Sequence, residues 1–311
     1  MSAQPIKPTV DPSGDQDHQP SASPRRGRGR EIAFEVIALG AVTAAMMVLV
    51  GLLVSVVLDG HNRLNAEFLT SFPSSMPHKA GLKPAFFGSL YLMLLTALFC
   101  FPVGVATAIY LEEYAKKGGL ARLIELNIAN LAGVPSIVYG LLGLAIFVRA
   151  LNLERSLLSG ALTLALLVLP IVIIASREAL RAVPPYVRDA SLALGASRWQ
   201  TVWKQVLPIA RPGIMTGTIL ALSRAIGETA PIITVGAVGY IRHLPKDIKD
   251  SFTAMPIQIY DWVSQRPEAT GPDNVTFQQD AAAGIVILLA MLLAMNGVAI
   301  WLRNRAQKRL K

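Results

Sequence analysis

From Arg177 to Pro231 the chain reads REALRAVPPYVRDASLALGASRWQTVWKQVLPIARPGIMTGTILALSRAIGETAP. A polar, proline-bounded segment, Arg177–Pro212, lies between two apolar runs, and the second run carries Arg224 and Glu228 one helical turn apart. Charge is rare at bilayer depth, and where it occurs it marks substrate paths or paired sites. The stretch therefore reads as an exposed docking loop that leads into a helix suited to handling an anion.

The rest of the chain sets the solvent in which that stretch works. Of 311 residues, 53% are hydrophobic and 16% charged, and the mean hydropathy is +0.48. That composition belongs to a multispanning membrane protein rather than a soluble domain. The net charge of +9 would suit nucleic acid, yet Lys and Arg fall mostly between the apolar runs and form no stripe interleaved with aromatics. Such a distribution sets membrane topology and argues against a nucleic-acid partner. Cys100 is the single cysteine, so no intrachain disulfide forms. His18, His61, His78 and His243 have no second His or Cys at ligand spacing, and no metal site is expected.

Residues 1–31 are rich in Pro, Ser, Gln, Asp and Gly and contain the cluster Arg25, Arg26, Arg28, Arg30. They read as a disordered basic tail, because too little apolar surface is present to offset the ordering entropy. The cluster suits acidic lipid as well as a simple topological flank. The run Ile32–Leu58 lacks an A-x-A cleavage signature and exceeds the about 7–15 residues of a signal-peptide core. It reads as the first span. Five further apolar runs follow: Ala85–Leu111, Ile124–Val148, Leu157–Ser176, Gly213–Gly239 and Ala281–Leu302. Each is near the about 20 residues that cross the hydrocarbon.

The predicted fold is therefore all-α, with six transmembrane helices over residues 32–302, a docking loop at 177–212 and a basic tail at 303–311. Pro135 with Ser136, Pro170 and Pro231 interrupt three of the spans. They suit either bending during transport or ordinary kinks covered by neighbours.

Six spans place both termini on one side. Of the 29 Lys and Arg, 19 fall on that side, nine on the other, and Arg224 lies inside a span. The excess assigns both termini and the Arg177–Pro212 loop to the cytoplasm.

Within that loop, Pro184 and Pro185 suit a first helical turn, no breaker occurs from Tyr186 to Leu194, and Gly195 supplies a left-handed stop. A second short helix is predicted from Ser197, with Gln200 completing a capping box, to just before Pro208. Ala190 and Ser191 are small enough for close approach, and Tyr186 and Leu194 share a face as apolar anchors. The same amphipathicity suits a helix resting on lipid headgroups.

Asp189-Ala190-Ser191, three residues, Gly195, nine residues, then Gln205-Val206-Leu207-Pro208 resembles the EAA loop of ABC-importer permeases. Asp stands for Glu, Ser for the second Ala, and Gln205 for an aliphatic residue. In that family the loop fits a groove on a separate ATPase subunit. The resemblance thus assigns ATPase coupling to Tyr186, Asp189, Ala190, Ser191, Leu194, Gly195, Leu207 and Pro208. No G-x-x-x-x-G-K-[ST] occurs in the chain, so ATP and its Mg are expected on a partner and no cofactor on this chain. No catalytic constellation can be assembled either, and a transport subunit rather than an enzyme is expected.

Further segments narrow the resemblance. Ala221-LSRAIGETA-Pro231, Leu131-AGVPSIVY-Gly140, Ile109-YLEE-Tyr114, Pro256-IQI-Tyr260 and Met295-NGVAIWLRN-Arg305 are similar to the PstA-type permeases of bacterial phosphate importers. The resemblance implies type I importer architecture, a homologous C-type permease, an ATPase pair and an extracytoplasmic phosphate-binding protein. The binding protein would meet the loops around Asp59–Pro84 and Tyr240–Asp280.

On the span limits above, Arg224 lies only about 3 Å from the midplane, where it requires a partner or a wet cavity. Glu228 is that partner by spacing. The pair suits two roles: a closed ion pair that fixes packing, or an anion site in which the guanidinium fork meets coplanar phosphate oxygens and Glu228 keeps the anion from binding too tightly to leave. Arg224, Glu228 and Thr229 are the pathway candidates. Arg177 and Glu178 form a weaker pair that equally suits a solvated interface. A permease for another oxyanion or small solute, a non-transporting membrane scaffold and an ion channel are the rival readings.

Overall fold

The computed structural model describes residues 28–116, 118–237, 239–266, 271 and 274–308. It divides into two units, residues 1–53 and 54–311. In the first, α1 (Arg28–Gly60) runs as an apolar helix that continues into the second unit. The tail expected over residues 1–31 lies outside the described residues up to residue 27, and residues 28–31 already belong to α1.

In the second unit a short helix, α2 (Ala66–Thr70), starts at Asn65, whose side chain accepts from the Phe68 N–H. Then α3 (Lys83–Ile109) begins with Pro84 in its first turn, where a missing N–H costs nothing, and ends in a π-helical turn over Tyr110–Tyr114. The third apolar run departs from the expected straight span. It is two helices, α4 (Gly119–Ala132) and α5 (Ser136–Gly143), and the second continues π-helically through Leu144–Ala150. The two halves are bent by 102°. Pro135 is the cause, since in a continuous helix its ring would clash with the Leu131 carbonyl.

The fourth run is α6 (Leu157–Arg181), capped by Ser156 and longer than expected by five residues. After it comes α7 (Pro185–Ala193). A Ser197–Gln200 capping box opens α8 (Arg198–Thr201), as the sequence predicts. The helix does not stop before Pro208, however. It passes through a π-helical turn, Val202–Val206, straight into α9 (Leu207–Ala225). The π register absorbs the bond that Pro208 cannot donate. The expected loop at 177–212 therefore shrinks at both ends, and the fifth span starts at Arg198.

That span also ends early. After Ala225 the chain turns through Ile226–Thr229 into α10 (Ala230–Val235), which closes on Gly236 at φ +107°. Pro231 forbids continuation, because its ring would meet the Gly227 carbonyl. Two helices complete the unit, α11 (Met255–Ser264) and α12 (Phe277–Lys308). Among the described residues five helices are long and apolar enough to cross a membrane, six with the bent pair, and no strand is present. The all-α reading therefore stands.

The central helix of the second unit is α6, with 67% of its apolar window buried against α3, α9 and α5. Its close fit to α9 has a sequence cause. Gly213 and Gly217 on α9 sit over Ala179 and Ala175 on α6, so both helices present small residues at four-residue spacing. In lipid, where apolar side chains gain nothing by leaving solvent, such close backbone approach is what holds helices together.

Candidate functional site

The break between α9 and α10 holds the charged pair. Arg224 occupies the last turn of α9; the Gly227 N–H donates to its carbonyl at 3.4 Å and the Glu228 N–H to the Ala225 carbonyl at 3.2 Å. This turn brings Glu228 Oε1 to 3.5 Å from Arg224 Nε. The pair forms as spacing predicts, but across a turn rather than along one helix face. Arg224 is also not the midpoint of a continuous span, because α9 stops one residue later. Its side chain is 55% exposed and that of Glu228 17%, so the guanidinium keeps open faces while the carboxylate holds one edge.

Thr229 follows directly, and its hydroxyl donates weakly to the Gly227 carbonyl at 3.4 Å. It lines a mostly apolar cleft of about 560 Å³ with Ile137, Thr234, Pro256 and Tyr260, drawn from α5, α10 and α11. A Cβ at Gly140 would meet Pro231 and Thr234, so the absence of one lets α10 lie directly on α5. Two proline-broken segments are thereby packed together. The carbonyl that Pro135 leaves without its helical donor, Leu131 O, accepts from the Val134 N–H at 3.1 Å and from the Tyr139 hydroxyl at 2.8 Å.

Arg177 and Glu178 do not pair with each other. Arg177, 11% exposed, contacts Glu125 at 2.7 Å and Glu112 at 3.4 Å, whereas Glu178 meets Arg181 at 3.3 Å. Successive residues on a helix point about 100° apart, so each found a different neighbour. Glu112 also meets Arg181 at 3.3 Å. This knot joins the end of α3, α4 and α6 instead of forming a solvated interfacial pair.

The docking set divides into two. On α7, Tyr186 is 70% and Leu194 90% exposed, and Asp189 and Ala190 are exposed between them. Ser191 is half-buried and its hydroxyl lies 2.9 Å from that of Thr201, which fixes α7 against α8. Gly195 has φ +84°, the left-handed stop that was expected. Leu207 and Pro208 instead lie within α9 and are half-buried, with Leu207 packed against the apolar cluster that holds Leu180, Val206 and Ala210. They belong to the bundle and not to the exposed surface.

Sequence reasoning left several residues without a role. Glu112 and Glu113 were legible only as part of a motif; two adjacent acids closing an apolar run, with Arg177, Arg181 and Arg188 elsewhere, were the available signal. At the opposite end of the bundle Arg63 donates to Asp280 at 2.6 Å and to the carbonyls of Pro77, Ala80 and His78 at 3.0, 2.9 and 3.3 Å. Ser223 donates to Asn296 Oδ1 at 2.6 Å, linking α9 to α12.

A helical membrane bundle with two broken segments packed together near an exposed guanidinium, and with an exposed glycine-terminated helix, has the architecture of a transporter permease. The chain belongs to the family of binding-protein-dependent transport system inner membrane components, whose model matches residues 101–311. It is 35% identical over 230 residues to phosphate transport system permease protein PstA 1 of Mycobacterium tuberculosis, covering 74% of this chain and 72% of that one. It is 38% identical over 213 residues to the PstA permease of Mycobacterium leprae, covering 68% and 67%. The fold is that of a chain in the crystal structure of a bacterial alginate ABC transporter, with a TM-score of 0.63 at 14% identity over 91% of this chain and 98% of that chain.

Proposed function

We propose that this chain is the membrane-spanning permease subunit of an ATP-driven importer that carries inorganic phosphate into the cytoplasm. The observation that carries the reading is the 35% identity to a phosphate permease over 74% of the chain. The chemistry of Arg224 agrees with it. Phosphate bears one to two negative charges at neutral pH, and a guanidinium meets two of its oxygens at once, where an ammonium offers only a point charge. Glu228 holds one edge of Arg224 at 3.5 Å and moderates the attraction, which any conducting path requires. A second permease of the C type supplies further positive charge across the pathway.

The excess of Lys and Arg on the α7 side of the chain supports an inner-membrane protein with both termini and α7 in the cytoplasm. There α7 docks one of two ATPase subunits, which bind the ATP and Mg for which this chain has no loop. An extracytoplasmic phosphate-binding protein delivers substrate at the opposite end. Closing and opening of the ATPases rocks α9 and α10 and exposes Arg224 to each side in turn.

The test is ATP-dependent uptake of radiolabelled phosphate into vesicles that hold the assembled complex, comparing wild type with Arg224→Gln at equal abundance. Loss of a charge-assisted bidentate contact predicts a fall of about tenfold or more. Unchanged uptake would remove Arg224 from the pathway and leave the pair as a packing device. Uptake of sulfate in place of phosphate by the wild type would overturn the substrate.

A further inference from the structure

Arg188 lies on the docking helix but points away from the exposed anchors. Its Nη2 donates to Glu113 Oε1 at 2.7 Å, and its Nε lies 3.1 and 3.3 Å from the two Glu113 oxygens. The remaining donors reach the carbonyls of Val183 at 2.8 Å and Leu180 at 2.9 Å. Every guanidinium nitrogen is thus engaged, and the group is 22% exposed against 9% for Glu113. One planar fork ties together three things: α7 itself, the end of α6, and the end of α3.

The third link is not made by the chain. Along the backbone α7 connects to α6 through Ala182–Pro184 and to α8 through Leu194–Ser197, whereas α3 is remote in sequence. Among the described residues the Arg188–Glu113 fork is the polar link between α7 and the segment that ends α3. Glu113 sits in the π-helical turn Tyr110–Tyr114, a geometry that is costly to form and concentrates at functional sites. That turn points Glu112 at α6 and Glu113 at α7, so two adjacent carboxylates distribute force to two elements.

We propose that Arg188 and Glu113 are positioning residues for coupling: the fork carries movement of α7 to α3, the second span, so that ATPase closure moves α3 together with α6 and α9. This rests on the transport reading above. A bidentate pair transmits rotation as well as displacement, because its two parallel bonds resist twisting, while a lysine in its place would pivot. Without the fork, α7 still follows the ATPase, but its movement reaches α3 only indirectly, through α6 and the Glu112 contacts to Arg177 and Arg181, and hydrolysis drives reorientation less completely.

The experiment uses the complete complex with binding protein in proteoliposomes and measures phosphate uptake and ATP hydrolysis in the same preparation. Glu113→Gln keeps the size of the side chain and removes its charge; Arg188→Lys keeps the charge and removes the fork. In both, the phosphate carried per ATP hydrolysed is expected to fall about fivefold or more, the size of an ordinary coupling energy. Hydrolysis continues in Glu113→Gln. An unchanged ratio in both variants would overturn the proposal while leaving the transport reading intact. Loss of the assembled complex in both would also overturn it and assign the pair to assembly. Absence of ATP-dependent uptake in the wild type would sink the transport reading, and the coupling role with it.

Discussion

The Tyr139 hydroxyl donates to the Leu131 carbonyl at 2.8 Å, across the bend that Pro135 makes in the third membrane segment. A carbonyl freed inside a bilayer has no water to turn to, and this bond stabilises a sharply bent segment that lipid alone would not tolerate. Replacing Tyr139 by Phe keeps the ring in its buried place and removes only the hydroxyl. The expected loss is about 1–2 kcal/mol, read as a lower unfolding temperature of the purified complex. No change would mean that the Val134 N–H suffices alone.

Helix contact at α6 and α9 makes a reciprocal prediction. A Cβ at Gly213 would lie 2.7 Å from the Ala179 Cβ, too close for either helix to keep its place. Gly213→Ala is expected to destabilise by about 1–3 kcal/mol, and adding Ala179→Gly is expected to restore most of the loss. Failure of the second substitution to rescue the first would show that the contact is not the source of the effect.

Arg63 and Asp280 form a buried pair, 8% and 0% exposed, at the end of the bundle away from α7. Arg63→Met leaves Asp280 without its donor and removes the guanidinium bonds to the Pro77, His78 and Ala80 carbonyls, and breaking one side of such a pair costs about 3–5 kcal/mol. The complex should fall sharply in abundance. Arg63→Met with Asp280→Leu is expected to recover part of it, since the stranded carboxylate is then gone.

Asp250 has a pKa held below its ordinary 3.8 by the backbone N–H groups of Asp247 and Lys246, which donate to its carboxylate. Its own carbonyl accepts from the Leu157 N–H at 2.9 Å, at the start of α6. The folded pKa is the lower one, so the carboxylate's contribution is fully present above pH 3.8 and is lost as pH falls through the depressed value. Titration of the Asp250 carboxyl carbon by NMR is expected to give a midpoint below the ordinary value. A midpoint at or above it would contradict the hydrogen bonds.

Leu194, 90% exposed at the end of α7, tests the docking surface. Leu194→Glu buries nothing in the folded chain and should leave its helical content and thermal stability unchanged. Placed in an apolar groove it is expected to weaken ATPase association by about tenfold or more, measured by co-purification and titration of the ATPase. Retention of full affinity would leave the exposed face of α7 to lipid.

Much of this was already legible in the chain. Capping signals at Ser197 and Gln200 and the stop at Gly195 act over three or four residues, so local chemistry places α7 and α8 without knowledge of their surroundings. The i,i+4 spacing of Arg224 and Glu228 likewise survives a turn as well as a helix. What misled was span length. Hydropathy counts residues and is blind to direction, so the apolar run around Gly133–Pro135 passes for one straight span although it bends by 102°, and the run after Gly213 hides the stop at Ala225. Pro208 failed in the opposite sense, because a π-helical turn before it removed the conflict that ends most helices at proline.

The sequence by itself determined an apolar helical chain, the uneven distribution of its charges between the apolar runs, the glycine-terminated helix α7 and the ion pair, since each follows from residues close together or from composition. Only tertiary structure decided where Arg177, Arg181 and Arg188 send their guanidinium groups, why Glu112 and Glu113 face different helices, and that Gly140 lets two broken segments meet beside Thr229. Those contacts join residues about 50 to 100 positions apart. Any arginine can pair with any carboxylate, so partner choice is set by which helices pack, and packing is a property of the whole bundle.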